Sequence, residues 1–154
     1  MKTLYVPIAP SGAGKSTYLA MMKKSDPNLE VFSLDELRHR WYDAVDYRRA
    51  WEKSTEDKQF AEKANKEFLA ILNRGQNVYV DNTNLSKKRR RFYLDEAKRR
   101  GFRTVAIVFP TTLKTLLDRQ KTRGDKTVPD MAVKQQYYSL QLPSFGEFDE
   151  VVSV

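Results

Sequence analysis

Cysteine is absent from this chain, and His39 is its only histidine. No disulfide can form, no thiolate can act as nucleophile or ligand, and no histidine cluster can hold a transition metal. No apolar run approaches the ~20 residues of a membrane span. The opening Met-Lys-Thr-Leu-Tyr-Val runs straight into a strand pattern and lacks the apolar stretch of a signal peptide. These absences lead us to expect a cytoplasmic, intracellular chain with no membrane contact. Repeats, linkers and low-complexity tracts are also missing. What is present is 154 residues with 40% hydrophobic composition, enough for one domain with a real core. There is also an excess of cations, 28 Lys and Arg against 20 Asp and Glu, for a net charge of +8. That balance suits a polyanionic partner, either nucleic acid or a nucleoside triphosphate.

Short apolar runs alternate with helical patterns. Strands are expected at Leu4–Ile8, Val31-Phe32, Val78–Val80, Thr104–Phe109 and Phe148–Val154. Helices are expected from Lys15 to Lys24, from Leu34 behind a Ser33/Glu36 capping box, and over Phe60, Ala64, Phe68, Ile71 and Leu72 behind a similar Ser54/Asp57 signature. Further helices are expected from Ser86 to Arg100, behind Thr111 or Thr112, and shortly after Pro129. Gly75 and Gly101 are natural helix stops. Strands alternating with helices predict an α/β fold, a parallel sheet covered on both faces, in a single domain spanning 1–154.

The most informative segment is Ser11-Gly12-Ala13-Gly14-Lys15-Ser16-Thr17, which follows the first strand and opens the first helix. This is the context of a phosphate-binding loop. Glycines let backbone N–H groups curl around the β-phosphate, and the helix N-terminus adds partial positive charge. Lys15 is placed to reach the β- and γ-phosphates, and the Ser16 hydroxyl to ligate Mg²⁺. The full pattern places a glycine five residues before Gly14, where this chain has Ala9.

Ligands of open α/β sheets sit beyond the carboxyl ends of the strands. Two carboxylates fall there. Asp35 lies in a helix first turn after Val31-Phe32, and Asp81 closes Val78–Val80. Asp35 is placed to accept a hydroxyl proton, and equally reads as ordinary first-turn helix charge. Asp81 is placed to hold Mg²⁺ or its waters, or simply to form a turn. Arg38, three residues past Asp35, shares its helix face. It could steady a phosphate beside the reacting hydroxyl or form a surface ion pair. Arg119 and Arg123 precede Gly124–Pro129. They could close over a triphosphate or complement a helix C-terminus.

Taken together, the glycine loop, Leu34-Asp35-Glu36-Leu37-Arg38, Asp81-Asn82-Thr83-Asn84-Leu85 with Arg89-Arg90, and Arg119-x-x-x-Arg123-Gly124 with Val128-Pro129 resemble the kinase domain of phage 5′-polynucleotide kinases. The resemblance covers nearly the whole chain. It implies a P-loop NTPase fold with an adenylate-kinase-like sheet, and ATP·Mg²⁺ as donor. By it, Lys15 and Ser16 would bind donor phosphates and metal. Asp35 would be general base for a 5′-OH, Arg38 would hold the acceptor phosphate, and Arg123 would be the lid arginine. The chain departs from that family in three ways. It has Ala9, its acidic residue before Thr83-Asn84 is displaced by one, and it lacks the Asp-x-Asp signature of the phosphatase domain those enzymes usually carry.

A polynucleotide acceptor fits two segments. Arg38-His39-Arg40-Trp41-Tyr42, continued by Tyr47-Arg48-Arg49 and Trp51, mixes stacking and phosphate partners. Lys87-Lys88-Arg89-Arg90-Arg91 follows Asn84 and is expected to face the same crevice. The expected acceptor contacts are Arg38, Trp41, Asn84, Arg89 and Arg90, although Trp41 also reads as a core residue. The expected activity is an ATP-dependent kinase of 5′-hydroxyl ends of RNA or DNA, with single-stranded or end-frayed nucleic acid as the partner. The same parts would serve a kinase of a small molecule, nucleotide or nucleotide sugar, as in zeta-toxin-like enzymes. A triphosphate-hydrolysing switch is the third reading, and it would need no acceptor base.

Overall fold

The structure, a computed structural model, describes residues 1–42 and 47–154, without the side chains of Tyr47 and Asp125. Five strands form one sheet: β1 (Thr3–Ile8), β2 (Glu30–Phe32), β3 (Val78–Val80), β4 (Arg103–Val108) and β5 (Glu150–Ser153). Their order is β2-β3-β1-β4-β5, and every pairing is parallel. The connecting helices are α1 (Lys15–Ser25), α2 (Leu34–Tyr42), α3 (Tyr47–Glu56), α4 (Phe60–Asn73), α5 (Lys87–Arg99), α6 (Leu113–Gln120) and α7 (Asp130–Ser139), with a 3₁₀ turn at Gly124–Lys126.

Successive side chains of a strand point to opposite faces, and here both faces are buried. Leu4, Val6, Ile8, Val78, Val80 and Ala106 join Leu37 of α2, Ala64, Phe68, Ile71 and Leu72 of α4, and Leu94 and Ala97 of α5. On the other face, Tyr79, Val105 and Ile107 join Leu19 of α1, Leu116 of α6 and Val133 of α7. This double burial is why the strands read as continuous apolar runs. Asp149 sets the start of β5, its carboxylate accepting from the Thr104 backbone N–H at 2.8 Å.

Local signals act largely as expected. Ser33 Oγ accepts from Glu36 N at 3.2 Å, Ser86 Oγ from Arg89 N at 3.1 Å, and Thr112 Oγ1 from Thr115 N at 3.2 Å. Gly75 and Gly101 take φ of 79° and 78° after α4 and α5. One expectation is corrected. Ser54 does not cap α4 but lies near the end of an additional helix, α3, where its hydroxyl donates to the Trp51 carbonyl at 2.7 Å. Asp57 instead closes the turn that precedes α4, its carboxylate accepting from Gln59 N at 2.9 Å, and no side chain caps the helix itself.

Candidate active site

Residues Ala9 to Gly14 leave β1 at its carboxyl end and curl into α1. Gly12 and Gly14 take φ of 89° and 109°, a region where a Cβ is costly. A Cβ on Gly12 would also meet Gln120 Nε2 at 3.0 Å. Ala9 is not in that region: Asn84 is the one non-glycine with positive φ among the described residues. Alanine is therefore compatible with its backbone. Its N–H donates to the Thr83 carbonyl at 3.1 Å, tying the loop to the end of β3.

The loop is held from behind by two helices. Gln120 of α6 donates to the Ser11 carbonyl at 3.1 Å, and its own carbonyl accepts from Val128 N at 3.0 Å. Gln136 of α7 accepts from Ser11 N at 2.9 Å, and Arg119 donates to the Gly12 carbonyl at 2.9 Å. No side chain caps α1. By helix geometry, the N–H groups of Lys15, Ser16 and Thr17 have no partner within α1. Such a terminus is an anion site when other cations converge on it.

Two cations converge there. Lys15 Nζ donates to the Ala9 carbonyl at 2.9 Å. Burial lowers its pKa to about 8, with Arg123 adding repulsion while Asp81 and Asp35 oppose the shift. Arg123 Nη1 is buried with no acceptor. An unsatisfied buried guanidinium nitrogen is expensive, and a phosphate oxygen is the acceptor that this cradle of N–H groups and cations fits.

The end of β3 continues the wall. Asp81 is half-buried, and burial pushes its carboxyl above the usual range. Lys15 and Lys126 oppose that shift, while Asp35 and Glu36 add to it. Asn82 Oδ1 accepts from Leu34 N at 3.0 Å, and Asp81 N donates to the Phe32 carbonyl at 2.7 Å. These two bonds fix the first turn of α2, and with it Asp35, against the strand that carries Asp81. Arg38 donates to Asp35 Oδ1 at 2.7 Å, and its Nε donates to Ser54 Oγ at 3.1 Å. Its guanidinium lies over the Phe60 ring, 5.2 Å from the centroid. Asp35, Arg38, Asp81, Arg89, Arg119 and Arg123 all line one crevice of about 1720 Å³ with the glycine loop.

Three expected acceptor contacts are corrected. Arg90 is fully buried, paired to Glu147 at 2.8 Å and 3.0 Å and donating to the Asn84 and Gln141 carbonyls at 2.9 Å each. At about 100° per residue, Arg89 faces the crevice and Arg90 faces inward. Asn84 lines the crevice floor, but its amide nitrogen is spent on the Pro7, Val80 and Asn82 carbonyls. Trp41 packs edge-on against Phe60 beside the core and does not line the crevice. The Tyr47 ring lies outside the described residues.

Sequence reasoning missed Gln120, Gln136 and Asn82. Gln120 left a trace. It continues the Leu113, Leu116, Leu117 stripe by one turn, so a polar residue occupies a core-facing position and needs a buried partner. Asn82 and Gln136 left none, because their partners are backbone groups distant in the chain.

The sheet and the loop seated at the carboxyl end of β1 make this a P-loop kinase fold. The chain belongs to the AAA domain family AAA_33, whose pattern matches residues 6–143. Proteins of this family bind nucleotide. The fold is similar to a gluconokinase from Sinorhizobium meliloti 1021, at 17% identity and a TM-score of 0.65, covering 99% of this chain and 81% of that one. It is also similar to a chain of the Pnkp1/Rnl/Hen1 RNA repair complex, at 20% identity and a TM-score of 0.68, covering 91% of this chain but 44% of that one. A third likeness is to Kti12 of Chaetomium thermophilum in complex with ADP-AlF3, at 15% identity and a TM-score of 0.66, covering 98% of this chain and 88% of that one. Among the described residues, no helix is long and apolar enough to cross a membrane.

Proposed function

We propose that this chain is an ATP-dependent polynucleotide 5′-hydroxyl kinase, active on the 5′-OH ends of RNA or DNA. The observation that carries the reading is the Asp35–Arg38 pair. It sits in the crevice beside the phosphate cradle, and Asn82, Ser54 and the Phe60 ring hold it in place. A nucleotide-hydrolysing switch has no need of a carboxylate and a guanidinium positioned together at the acceptor side.

Lys15 and the N–H groups at the start of α1 would bind the β- and γ-phosphates, with Arg123 Nη1 supplying a further donor. Ser16 and Asp81 would hold Mg²⁺. Among the described residues, no three acidic or histidine side chains form a metal cluster. A Mg²⁺ bound mainly by triphosphate oxygens and water needs only one or two protein ligands, so the residues fit. The metal would neutralise charge on the phosphates. Asp35 would take the proton of the 5′-hydroxyl as its oxygen bonds to the γ-phosphorus. The bond from γ-phosphorus to the bridging oxygen breaks, and ADP leaves. Arg38 would hold the acceptor's first phosphate. Arg89, exposed on the crevice wall at the start of α5, would hold the next.

A kinase of a small anionic or polyhydroxy acceptor is the second reading. It draws support from the inward-facing Arg90 and Trp41, which leave the acceptor wall less basic and aromatic than its sequence promised. Transfer of labelled γ-phosphate from ATP·Mg²⁺ decides between them, with 5′-OH oligonucleotides run beside nucleosides, nucleotides and sugar acids. Labelling of oligonucleotide 5′ ends supports the polynucleotide reading. Labelling confined to a small molecule refutes it.

A further inference from the structure

We propose that the Trp51 indole is a stacking platform for the base of the acceptor's terminal nucleotide; this rests on the polynucleotide reading above, whose expected acceptor is a single-stranded or frayed 5′-OH end. Three aromatic side chains of the described residues are largely exposed: Trp51, Tyr138 and Phe145. Of these, Trp51 alone lines the crevice. It is 47% exposed, whereas Trp41 is packed beside the core.

The position of Trp51 is set from the catalytic pair outward. Arg38 is bonded to Asp35 at 2.7 Å and to Ser54 Oγ at 3.1 Å, and that hydroxyl donates to the Trp51 carbonyl at 2.7 Å. Two hydrogen bonds therefore connect the guanidinium that would hold the acceptor phosphate to the backbone carrying the indole. Ser54 is buried, so water does not compete at this joint. Below it, the Tyr42 hydroxyl donates to Asp57 at 2.8 Å and Lys53 donates to the Tyr42 carbonyl at 3.3 Å, which fastens α3 to the end of α2.

An indole on a fixed helix loses little freedom when it meets a base, and every base has a face to offer. Duplex ends keep their terminal base paired and stacked, so reaching Trp51 requires unstacking it, at a cost that single strands do not bear. His39 and Arg89 on the same crevice walls supply cationic and polar partners for the strand that follows. The platform thus selects for strand state without selecting for sequence.

The experiment combines kinetics and fluorescence. Trp51→Ala is expected to raise KM for a single-stranded 5′-OH oligonucleotide roughly five- to 150-fold, the range for losing one base–aromatic stack, with the KM for ATP unchanged. Removing the base from the 5′-terminal nucleotide should raise the wild-type KM to the same extent, and should cost the Trp51→Ala variant nothing further. Trp51→Phe should recover most of the wild-type KM. In Trp41→Phe, Trp51 is the sole tryptophan of the chain, and a single-stranded oligonucleotide should quench its emission where an abasic one does not. The proposal is overturned if base removal leaves wild-type KM unchanged, if Trp51→Ala and base removal act additively, or if Trp51 emission is indifferent to the terminal base. A wild-type protein that labels no oligonucleotide at all refutes the polynucleotide reading itself, and the platform falls with it. Failure of the platform alone shows as active wild type with no dependence on the terminal base.

Discussion

Nucleotide affinity should fall as pH rises through 8, because the cation at the heart of the cradle is poised to lose its proton. Burial is the main cause of the lowering of Lys15 to about 8, and the neighbouring Arg123 adds to it against the pull of Asp81 and Asp35. A bound triphosphate brings negative oxygens to Nζ and restores the ordinary preference for the ammonium form. If only the ammonium form binds well, the apparent Kd is multiplied by 1 + 10^(pH − pKa). With a pKa of about 8, that factor is about 1.1 at pH 7, about 2 at pH 8 and about 11 at pH 9. A phosphate second pKa near 6 leaves the triphosphate itself fully ionised across the upper part of this range. Titration calorimetry of a non-hydrolysable triphosphate at pH 7, 8 and 9, in buffers of different ionisation enthalpy, reads both quantities. Near pH 8 about half a proton should be taken up per nucleotide bound. Lys15→Arg keeps a fixed charge and should bind with a flat profile. A wild-type Kd constant within twofold from pH 7 to 9, or binding without proton uptake, refutes the reasoning. For the unliganded protein, the folded pKa is depressed below the ordinary lysine value of 10.5. This group alone therefore makes stability rise with pH between about 8 and 10.5, since there the unfolded chain binds the extra proton.

Three further outcomes follow from the site and its supports. Asp35→Asn should reduce transfer at least 10²-fold, the lower end of general-base contributions, while leaving nucleotide affinity within about threefold by calorimetry; retained transfer would remove Asp35 from the mechanism. Arg90→Ala strands the Glu147 carboxylate and two backbone carbonyls. It should destabilise the fold by about 3–5 kcal/mol, roughly 10 °C in Tm at this size by thermal denaturation, and a shift under 2 °C would contradict the burial argument. Gly12→Ala places a Cβ at positive φ within 3.0 Å of Gln120 Nε2. It should weaken nucleotide binding roughly tenfold or more, at a strain of about 1–3 kcal/mol, and unchanged affinity would mean the loop readjusts freely.

The glycine loop was legible in the sequence because its signals lie in consecutive residues. Gly12 to Thr17 declare a loop and a helix start within six positions, and the structure seats them where a strand-turn-helix reading puts them. Asp35 and Arg38 were legible as a pair because three residues on a helix fix a common face. The acceptor half depends on rotation, and there the reading erred. Five consecutive cations from Lys87 to Arg91 say nothing of which one faces inward, and only the Glu147 partner 57 residues away reveals that it is Arg90. The same holds for the two tryptophans. Trp41 packs against Phe60 beside the core while Trp51 rides on α3, which folds back on α2, and α3 was itself read only as a polar, aromatic stretch. Its signal was hidden by Ser54, a residue type that favours caps but here sits inside a helix because Arg38 and the Trp51 carbonyl take its hydroxyl.

The distribution of supports separates the two halves mechanically. The phosphate loop is braced by α6 and α7 through Gln120, Arg119 and Gln136, on one face of the sheet. The Asp35–Arg38 pair is braced by β3, α3 and α4 through Asn82, Ser54 and the Phe60 ring, on the other. The halves meet across the carboxyl ends of β1 and β3, where Ala9 N bonds to the Thr83 carbonyl and the Asn84 amide bonds to the Pro7 carbonyl. The second of these crossings is made by Asn84, the one non-glycine with positive φ among the described residues. Asparagine tolerates that conformation better than other side chains, and its amide supplies the donor that the bend requires. Arg90 donates to the carbonyl of the same residue. The buried arginine thus belongs to the joint between the two halves. In the proposed kinase, a basic residue expected to touch substrate would contribute instead to the spacing between phosphoryl donor and hydroxyl acceptor on which in-line transfer depends.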